Sequence, residues 1–292
     1  MNLDSLPLVS VLLPSYNHEA YIEEAIMSVV NQTYKNIELI VIDDGSTDSS
    51  PEILKKLQQR YGFIYIQREN KGLIKTLQEL KSLASGKYIS LFSSDDKYAL
   101  DKLTILVGFL EKNQEYVMVY SKIIIIDDNS NAVSKVNEDY KSGEIFHYLL
   151  KGDFFLNGLA ALIRNEVYEQ FDYNLKSYVD DLYMWLQVAF KNKIGFVDEY
   201  LGCYRKHNNH LSKNLLKMQE SEEKIISQYK SYVHYDEAIN EWNLRWFHNT
   251  SLCHKSVAIK KYLLRVLKLK NIFRLKLYKA LIRLLIPCLL QK

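Results

Sequence analysis

The first hundred residues switch repeatedly between two hydrophobic periods. Residues 8–13 (LVSVLL) form an almost continuous apolar, β-branched run, the pattern of a strand buried on both faces. The polar loop PSYNHE follows, and over 20–30 the positions Ile22, Ala25, Ile26 and Val29 recur with a helical period. Residues 37–42 (IELIVI) read as a second strand running into Asp43-Asp44-Gly45-Ser46-Thr47-Asp48, a turn and helix N-cap signal before a helix at 50–60. A short strand at 63–67, a helix at 73–84 with Gly86 as its C-cap, and a strand at 87–92 complete a βαβαβαβ order. That order predicts an α/β fold, a mostly parallel sheet flanked by helices on both faces. Ligands of such sheets sit beyond the carboxyl ends of the strands. The polar loops 14–19, 43–48 and 93–96 all fall at that edge.

Beyond residue 96 the pattern predicts a helix over 100–112, a strand over 116–126, a loop or hairpin over 127–143 and a strand over 154–164. A helix follows over 180–191 with Leu182, Trp185, Leu186 and Ala189 on its apolar side, then a strand over 194–204 and a polar loop over 205–214. Helices run on to the end. A length of 292 residues fits one main domain with an appendage, divided into 1–215 and a helical 216–292. Apolar residues at 48% and charged residues at 25% are ordinary globular values, which excludes disordered, collagenous and disulfide-scaffold classes. Cys203, Cys253 and Cys288 are far apart and form no CxxC, so neither a zinc site nor a disulfide framework is expected. Residues 1–6 carry Asp4 and no apolar stretch before Pro7; no signal peptide is read there, and a cytoplasmic location is expected.

Charge changes the picture at one end. Residues 251–292 hold 11 Lys/Arg and no Asp/Glu, whereas the rest of the chain holds 27 basic against 35 acidic residues. The longest uncharged stretch of this tail, 284–291, is too short to cross a bilayer, which takes about 20 apolar residues. Its Leu, Ile, Phe and Tyr are interleaved with Lys and Arg, as in a helix lying in a membrane interface. The other reading is a helix packed on the protein's own body with a solvated basic face. No nucleic-acid-binding motif accompanies the tail, so nucleic acid is not expected as a partner.

Four polar clusters carry candidate chemistry. Asp95-Asp96 directly follows a buried strand, where paired acids hold a hard divalent cation with ligand phosphates or cap the next helix. Asp43-Asp44 ends another strand, where a carboxylate accepts a ring N–H, as in uracil, or closes a turn. Asp180-Asp181 precedes an amphipathic helix; a paired carboxylate is raised in pKa and suits a general base, or else caps the helix. His207 and His210 lie in YRKHNNHLS, either solvated or, with Arg205 and Lys206, closing over phosphates.

The order of these blocks resembles a family 2 glycosyltransferase of the GT-A fold, the inverting class that uses nucleotide-diphosphate sugars. The resemblance covers roughly residues 7–212. Its most specific part is PLVSVLLPSYNHEAYIEEAIMSVVNQTYKNIELIVIDDGSTDSS; RENKG at 68–72, ASGKYISLFSSDD at 84–96, VDDLYMWL at 179–186 and YRKHNNHLS at 204–212 follow in order. It implies nucleotide-sugar binding within 1–100 and acceptor and catalytic functions within 101–215. Pro14, Ser15 and Tyr16 would line the base and ribose pocket, Asp43 and Asp44 would bind uracil or ribose, and Lys71 and Gly72 would lie near the nucleotide. Asp95 and Asp96 stand at the family's metal-binding acids, with Asp96 as the direct ligand of Mg²⁺ or Mn²⁺ and Asp95 beside the donor. His207 would reach the metal or diphosphate, and Asp181 would be the base.

Two departures stand out. Ser93-Ser94-Asp95-Asp96 replaces a block that often reads DSDD, and Thr76 to Leu80 replaces an Ala-Arg-Asn-x-Gly run, so a positive contact to the donor is lost or supplied elsewhere. The resemblance implies transfer of a hexose from a UDP-sugar with inversion at the anomeric carbon; a UDP-sugar-binding protein that has lost turnover is the alternative. With the tail, it implies a saccharide acceptor on a lipid such as undecaprenyl diphosphate, bacterial surface-polysaccharide assembly, and a peripheral position on the inner face of the plasma membrane. Phe154, Phe155, Asn157 and Tyr178 are candidate acceptor contacts or packing residues. A homodimer is left open.

Overall fold

The computed structural model describes residues 6–173, 180–207 and 214–286. These fall into two compact units, one within Met1–Ile145 and Leu156–Asn214, the other within Phe146–Phe155 and Leu215–Lys292.

The first unit is built on a nine-stranded sheet: β1 (Val9–Ser15), β2 (Ile37–Asp43), β3 (Ile64–Gln67), β4 (Tyr88–Leu91), β5 (Lys97–Tyr98), β6 (Tyr116–Ile126), β7 (Ala132–Lys135), β8 (Ala161–Arg164) and β9 (Lys193–Arg205). The strand order is β3-β2-β1-β4-β8-β6-β9-β5, with β7 paired on β6. The run β3-β2-β1-β4 is parallel, joined by α1 (Ile22–Val30), α2 (Ser50–Tyr61) and α3 (Leu73–Leu83). Antiparallel β8 joins it to β6, and β6 pairs in parallel with β9.

The sequence pattern explains this core. Val9, Val11, Leu12 and Leu13 are wholly buried, and α1 buries the Ile22, Ala25, Ile26 and Val29 face that its periodicity marks. Each such Val, Leu or Ile contributes about 1.5–3 kcal/mol relative to exposure. Register places Ser15 opposite Asp43 and Leu12 opposite Leu91, so the loops after β1, β2 and β4 open on one edge.

Some expectations are corrected by tertiary context. The strand expected over 154–164 shortens to β8, because the Asn157 side chain accepts from Leu159 N (2.9 Å) and caps a 3-10 turn, Gly158–Ala160. Gly86 is not the cap of α3, which ends at Leu83 with Ala84 as its C-cap. A glycine is required at 86 because a Cβ there would stand 2.7 Å from the Ser10 backbone nitrogen. The polar stretch after β6 is a hairpin through β7. β5 has only two residues and exists through its pairing with β9, a non-local contact that sequence periodicity does not reveal.

The remaining helices of the first unit are α4 (Lys102–Lys112), α6 (Asn165–Tyr168) and α7 (Asp180–Lys191). The second unit holds α5 (Phe146–Lys151), α8 (Leu215–Ile226), α9 (Tyr235–Cys253) and α10 (Leu275–Leu285). Its centre is α9, whose buried Trp242 donates to Leu150 O (2.7 Å) and whose Trp246 donates to Glu222 (2.7 Å). The indole of Trp242 thus ties residues 146–155 to the helical unit.

Candidate active site

The carboxyl edge of the parallel strands is organised by short side chains. The Asp43 carboxylate takes Ser46 N (2.9 Å) and Ser46 Oγ (2.6 Å), closing the turn after β2. Gly45 has φ +76°, and a Cβ on it would stand 2.7 Å from Asn70 N, so this turn requires glycine. Asn17 stitches the β1 and β2 loops together: its N–H donates to Ser46 Oγ (2.9 Å) and its Oδ1 accepts Thr47 N (2.8 Å).

Asp44 is buried and accepts Lys71 N (2.7 Å) and Gly72 N (2.9 Å), with the Arg68 guanidinium paired against it. Arg68 also reaches Glu79 (2.6 Å) and Thr76 Oγ1 (2.8 Å), two residues of the segment that departs from the Ala-Arg-Asn-x-Gly pattern. A cation is therefore present in this loop cluster, supplied from position 68. Lys71 turns its ammonium to Glu79 (3.0 Å). Asp43 and Asp44, both expected to meet the nucleoside, thus already receive donors, Asp43 from its own turn and Asp44 from the 68–72 loop after β3. Pro14 is half-buried, Tyr16 is 47% exposed, and buried Ser15 Oγ has no hydrogen-bond partner among the described residues.

The next loop contains a cluster that the sequence only half revealed. Ligand atoms of His18, Asp95 and His207 lie within 4.8 Å of one another, a set able to hold a metal ion. His207 Nε2 stands 2.9 Å from Asp95 Oδ2, and His18 Nδ1 stands 2.7 Å from Ser94 Oγ. Burial holds the His18 pKa below its ordinary value, against the opposing pull of Asp95; this favours the neutral, metal-ligating imidazole. His18 was missed from sequence. The signal was its place in the loop after β1, three residues beyond Ser15 at the edge where ligands bind.

Asp96, expected to be the direct ligand, lies outside this trio. It is 2% exposed and accepts Arg205 N (2.9 Å). Burial first, then the charge of Asp95, hold its pKa well above the ordinary carboxyl range. Asp95 takes the place beside the imidazoles. Arg205, expected in a polar loop closing over phosphates, ends β9. It is fully buried, donating to Asp95 O (2.7 Å), Asp127 O (2.8 Å), Ser130 Oγ (3.0 Å) and Glu24 (2.6 Å). Its guanidinium is spent on fixing the acid loop against α1 and the β6–β7 hairpin.

Asp181 stands at the start of α7, and its Oδ2 lies 3.4 Å from Gly158 N. A Cβ at Gly158 would come within 3.0 Å of that oxygen, so the 3-10 turn holds a glycine where the acid approaches. The side chain keeps access to solvent, but the protein packed round its carboxylate raises the pKa to about 6, with the Gly158 N–H opposing. The charge of Asp181 adds a small upward push to the pKa of Asp96, after burial and the charge of Asp95. The side chain of Asp180 and residues Tyr178 and His210 lie outside the described residues. Phe154 is buried and Phe155 lies under the Arg245 guanidinium, both in the helical unit, while Asn157 caps the 3-10 turn.

A cation-ready trio at a parallel-sheet edge and a raised-pKa acid in the same unit are the candidate chemistry of this chain, and comparison with known proteins gives the family. The profile of Glycosyl transferase family 2 matches residues 10–171. An uncharacterized glycosyltransferase of Haemophilus influenzae is 33% identical over 225 residues, covering 72% of this chain and 69% of that protein. Another, from Rickettsia felis, is 30% identical; the match covers 68% of this chain but only 33% of that protein. The crystal structure of S. aureus TarS 1–349 in complex with UDP-GlcNAc shares the fold with a TM-score of 0.67 at 20% identity, covering 85% of this chain and 76% of that one. A mannosyltransferase from Pyrobaculum calidifontis, in complex with GDP-Man and Mn²⁺, gives 0.57 at 16% identity, covering 97% and 88%. The chain belongs to glycosyl transferase family 2 and has the GT-A type of fold; by class it is a glycosyltransferase.

Proposed function

We propose that this chain is an inverting glycosyltransferase that moves a hexose from a UDP-sugar to a hydroxyl of a saccharide acceptor. The observation that carries the reading is the meeting of His18, Asp95 and His207 beyond the ends of β1, β4 and β9, with Asp96 beside Asp95 and a raised-pKa acid, Asp181, at the start of α7 in the same unit. The donor bound in the S. aureus neighbour is a UDP-sugar, which supports uridine diphosphate as the leaving group. The exposed Tyr16 ring is available to pack on the base.

Two imidazoles and one carboxylate suit Mn²⁺ better than Mg²⁺, which favours oxygen ligands alone. His18, Asp95 and His207 would hold the ion, and a bound divalent cation supplies neutralisation of the diphosphate charge. The chain's own residues do the rest. Ser94 orients His18, and Arg205 fixes the Asp95 backbone. Asp181 takes the proton from the acceptor hydroxyl at its carboxylate, and a pKa near 6 leaves it mostly ionised at neutral pH while keeping it basic. One displacement, with no covalent enzyme intermediate, inverts the anomeric centre: an α-linked donor gives a β-linked product.

The acceptor is read as a lipid-linked saccharide in the assembly of a bacterial surface polysaccharide, which the basic C-terminal region supports. The test is a panel of UDP- and GDP-sugars scored for protection against heat, with Mn²⁺ and with chelator, followed by the anomeric configuration of the product by NMR. UDP-sugars should protect, Mn²⁺ should enhance protection, and the anomeric configuration should invert. Retention of configuration, or protection by no nucleotide sugar, contradicts the proposal.

A further inference from the structure

We propose that the C-terminal end of the helical unit is a docking surface for an anionic phospholipid bilayer, built from two apolar elements with a cationic margin. The inference does not depend on the transfer reaction.

The tail's apolar positions divide in two. Along α10, Leu277 and Ala280 are buried in the unit, with Leu281 and Leu284 partly covered beside them; this is the face packed on α9. That much agrees with a helix packed on its own body. A second stripe, Leu275, Tyr278, Ile282 and Leu285, recurs at helical spacing and is exposed throughout. Lys276 and Lys279 lie on the flank between the two stripes and are exposed. The segment leading into α10 adds Leu264 (84% exposed), Leu269 (87%) and Phe273 (94%). Scattered apolar side chains are ordinary on a soluble surface, but a group of this kind bordered by cations marks an interaction site.

Charge selects the occupant. Residues 251–292 contain 11 Lys/Arg and no acid. Glu223 neutralises Lys261 and Arg265, and Glu241 neutralises Arg274, whereas Lys268, Lys276 and Lys279 make no ion pair with a carboxylate among the described residues. A second copy of the same surface would bring lysine against lysine, a repulsive arrangement. Lipid phosphates offer the complementary charge, and the apolar side chains enter the acyl boundary beside them. Among the described residues no helix is long and apolar enough to cross a membrane, so the geometry is that of lying in the interface.

The experiment is flotation of the full chain with vesicles of phosphatidylcholine containing phosphatidylglycerol, against vesicles of phosphatidylcholine alone. The protein should float with the anionic vesicles and lose that binding as salt rises. The double variant Leu269→Ser with Phe273→Ser keeps every charge and should lower the partition coefficient at least about tenfold. The triple variant Lys268→Gln, Lys276→Gln, Lys279→Gln keeps every apolar group and should lower it about 10²-fold. These side chains project from the surface, so both variants should melt as the parent does. Equal partitioning onto neutral and anionic vesicles, unchanged partitioning of both variants, or a dimer abolished by Phe273→Ser would overturn the proposal.

Discussion

Replacing Asp181 by Asn isolates the base assignment. The amide is nearly isosteric and can still accept the Gly158 N–H, now at 3.4 Å from Oδ2, so the start of α7 should stay in place. What is lost is a proton acceptor with a pKa of about 6. At pH 7 that acid is about nine-tenths ionised, so the parent enzyme works near its plateau. Positioned general-base catalysis is worth about 10²–10⁴-fold, and kcat should fall by that factor while donor affinity, measured by calorimetry, stays within about twofold. The parent kcat should decline as pH drops through about 6, because only the ionised carboxylate accepts a proton; the Asn variant should lack this limb. The stability sign is opposite. The folded protein raises this carboxyl above its unfolded value of 3.8, so it favours the protonated form, and the associated stability is lost as pH rises through about 6. Asp181→Asn should therefore melt no lower than the parent at pH 7. Unchanged kcat, or an acid limb that persists near pH 6 in the variant, would refute the assignment.

Other outcomes follow from the same structure. His18→Ala should abolish most of the Mn²⁺-dependent part of the heat protection given by the donor while leaving metal-free melting nearly unchanged; full retention of the Mn²⁺ effect would remove His18 from the cation set. Arg68→Met breaks a mostly buried pair with Asp44 and should destabilise by roughly 3–5 kcal/mol in urea unfolding, whereas Lys87→Met, which breaks an exposed pair with Glu111, should cost under about 1 kcal/mol; similar costs for both would contradict the burial argument. Lys102 is fully buried, with its ammonium on Ser90 Oγ (2.7 Å) and over the Tyr98 ring, and burial lowers its pKa well below 10.5. The unfolded chain binds that proton more readily, so stability should rise as pH is raised towards 10.5, and Lys102→Met should flatten the rise. An unchanged slope in the variant would assign the proton to another group.

The parallel half of the sheet was legible because each element there has one clear period. LVSVLL and IELIVI became β1 and β2, and the apolar face of α1 matched its Ile22, Ala25, Ile26 and Val29 stripe. What failed was non-local. β5 exists through its partner β9, and residues 146–155 join the helical unit through Trp242. The same distinction holds at the site. Adjacent acids after β4 pointed to a cation, but the sequence could not say which one turns outward. The N–H of Arg205, from the distant β9, draws Asp96 inward and leaves Asp95 to His207. His18 was hidden for a related reason, since its partners Ser94 and His207 lie 76 and 189 positions away in the chain. In sequence Arg205 reads as a loop cation for phosphate; its burial depends on Glu24 and on the β6–β7 hairpin, which lie far from it in the chain.

Anomalous diffraction at the manganese edge, from crystals grown with UDP and Mn²⁺, tests the cation site most directly. A peak should appear bounded by His18, Asp95 and His207, with the diphosphate between it and Asp181. A peak held elsewhere, or UDP bound away from the carboxyl edge of β1, β2 and β4, would contradict that assignment.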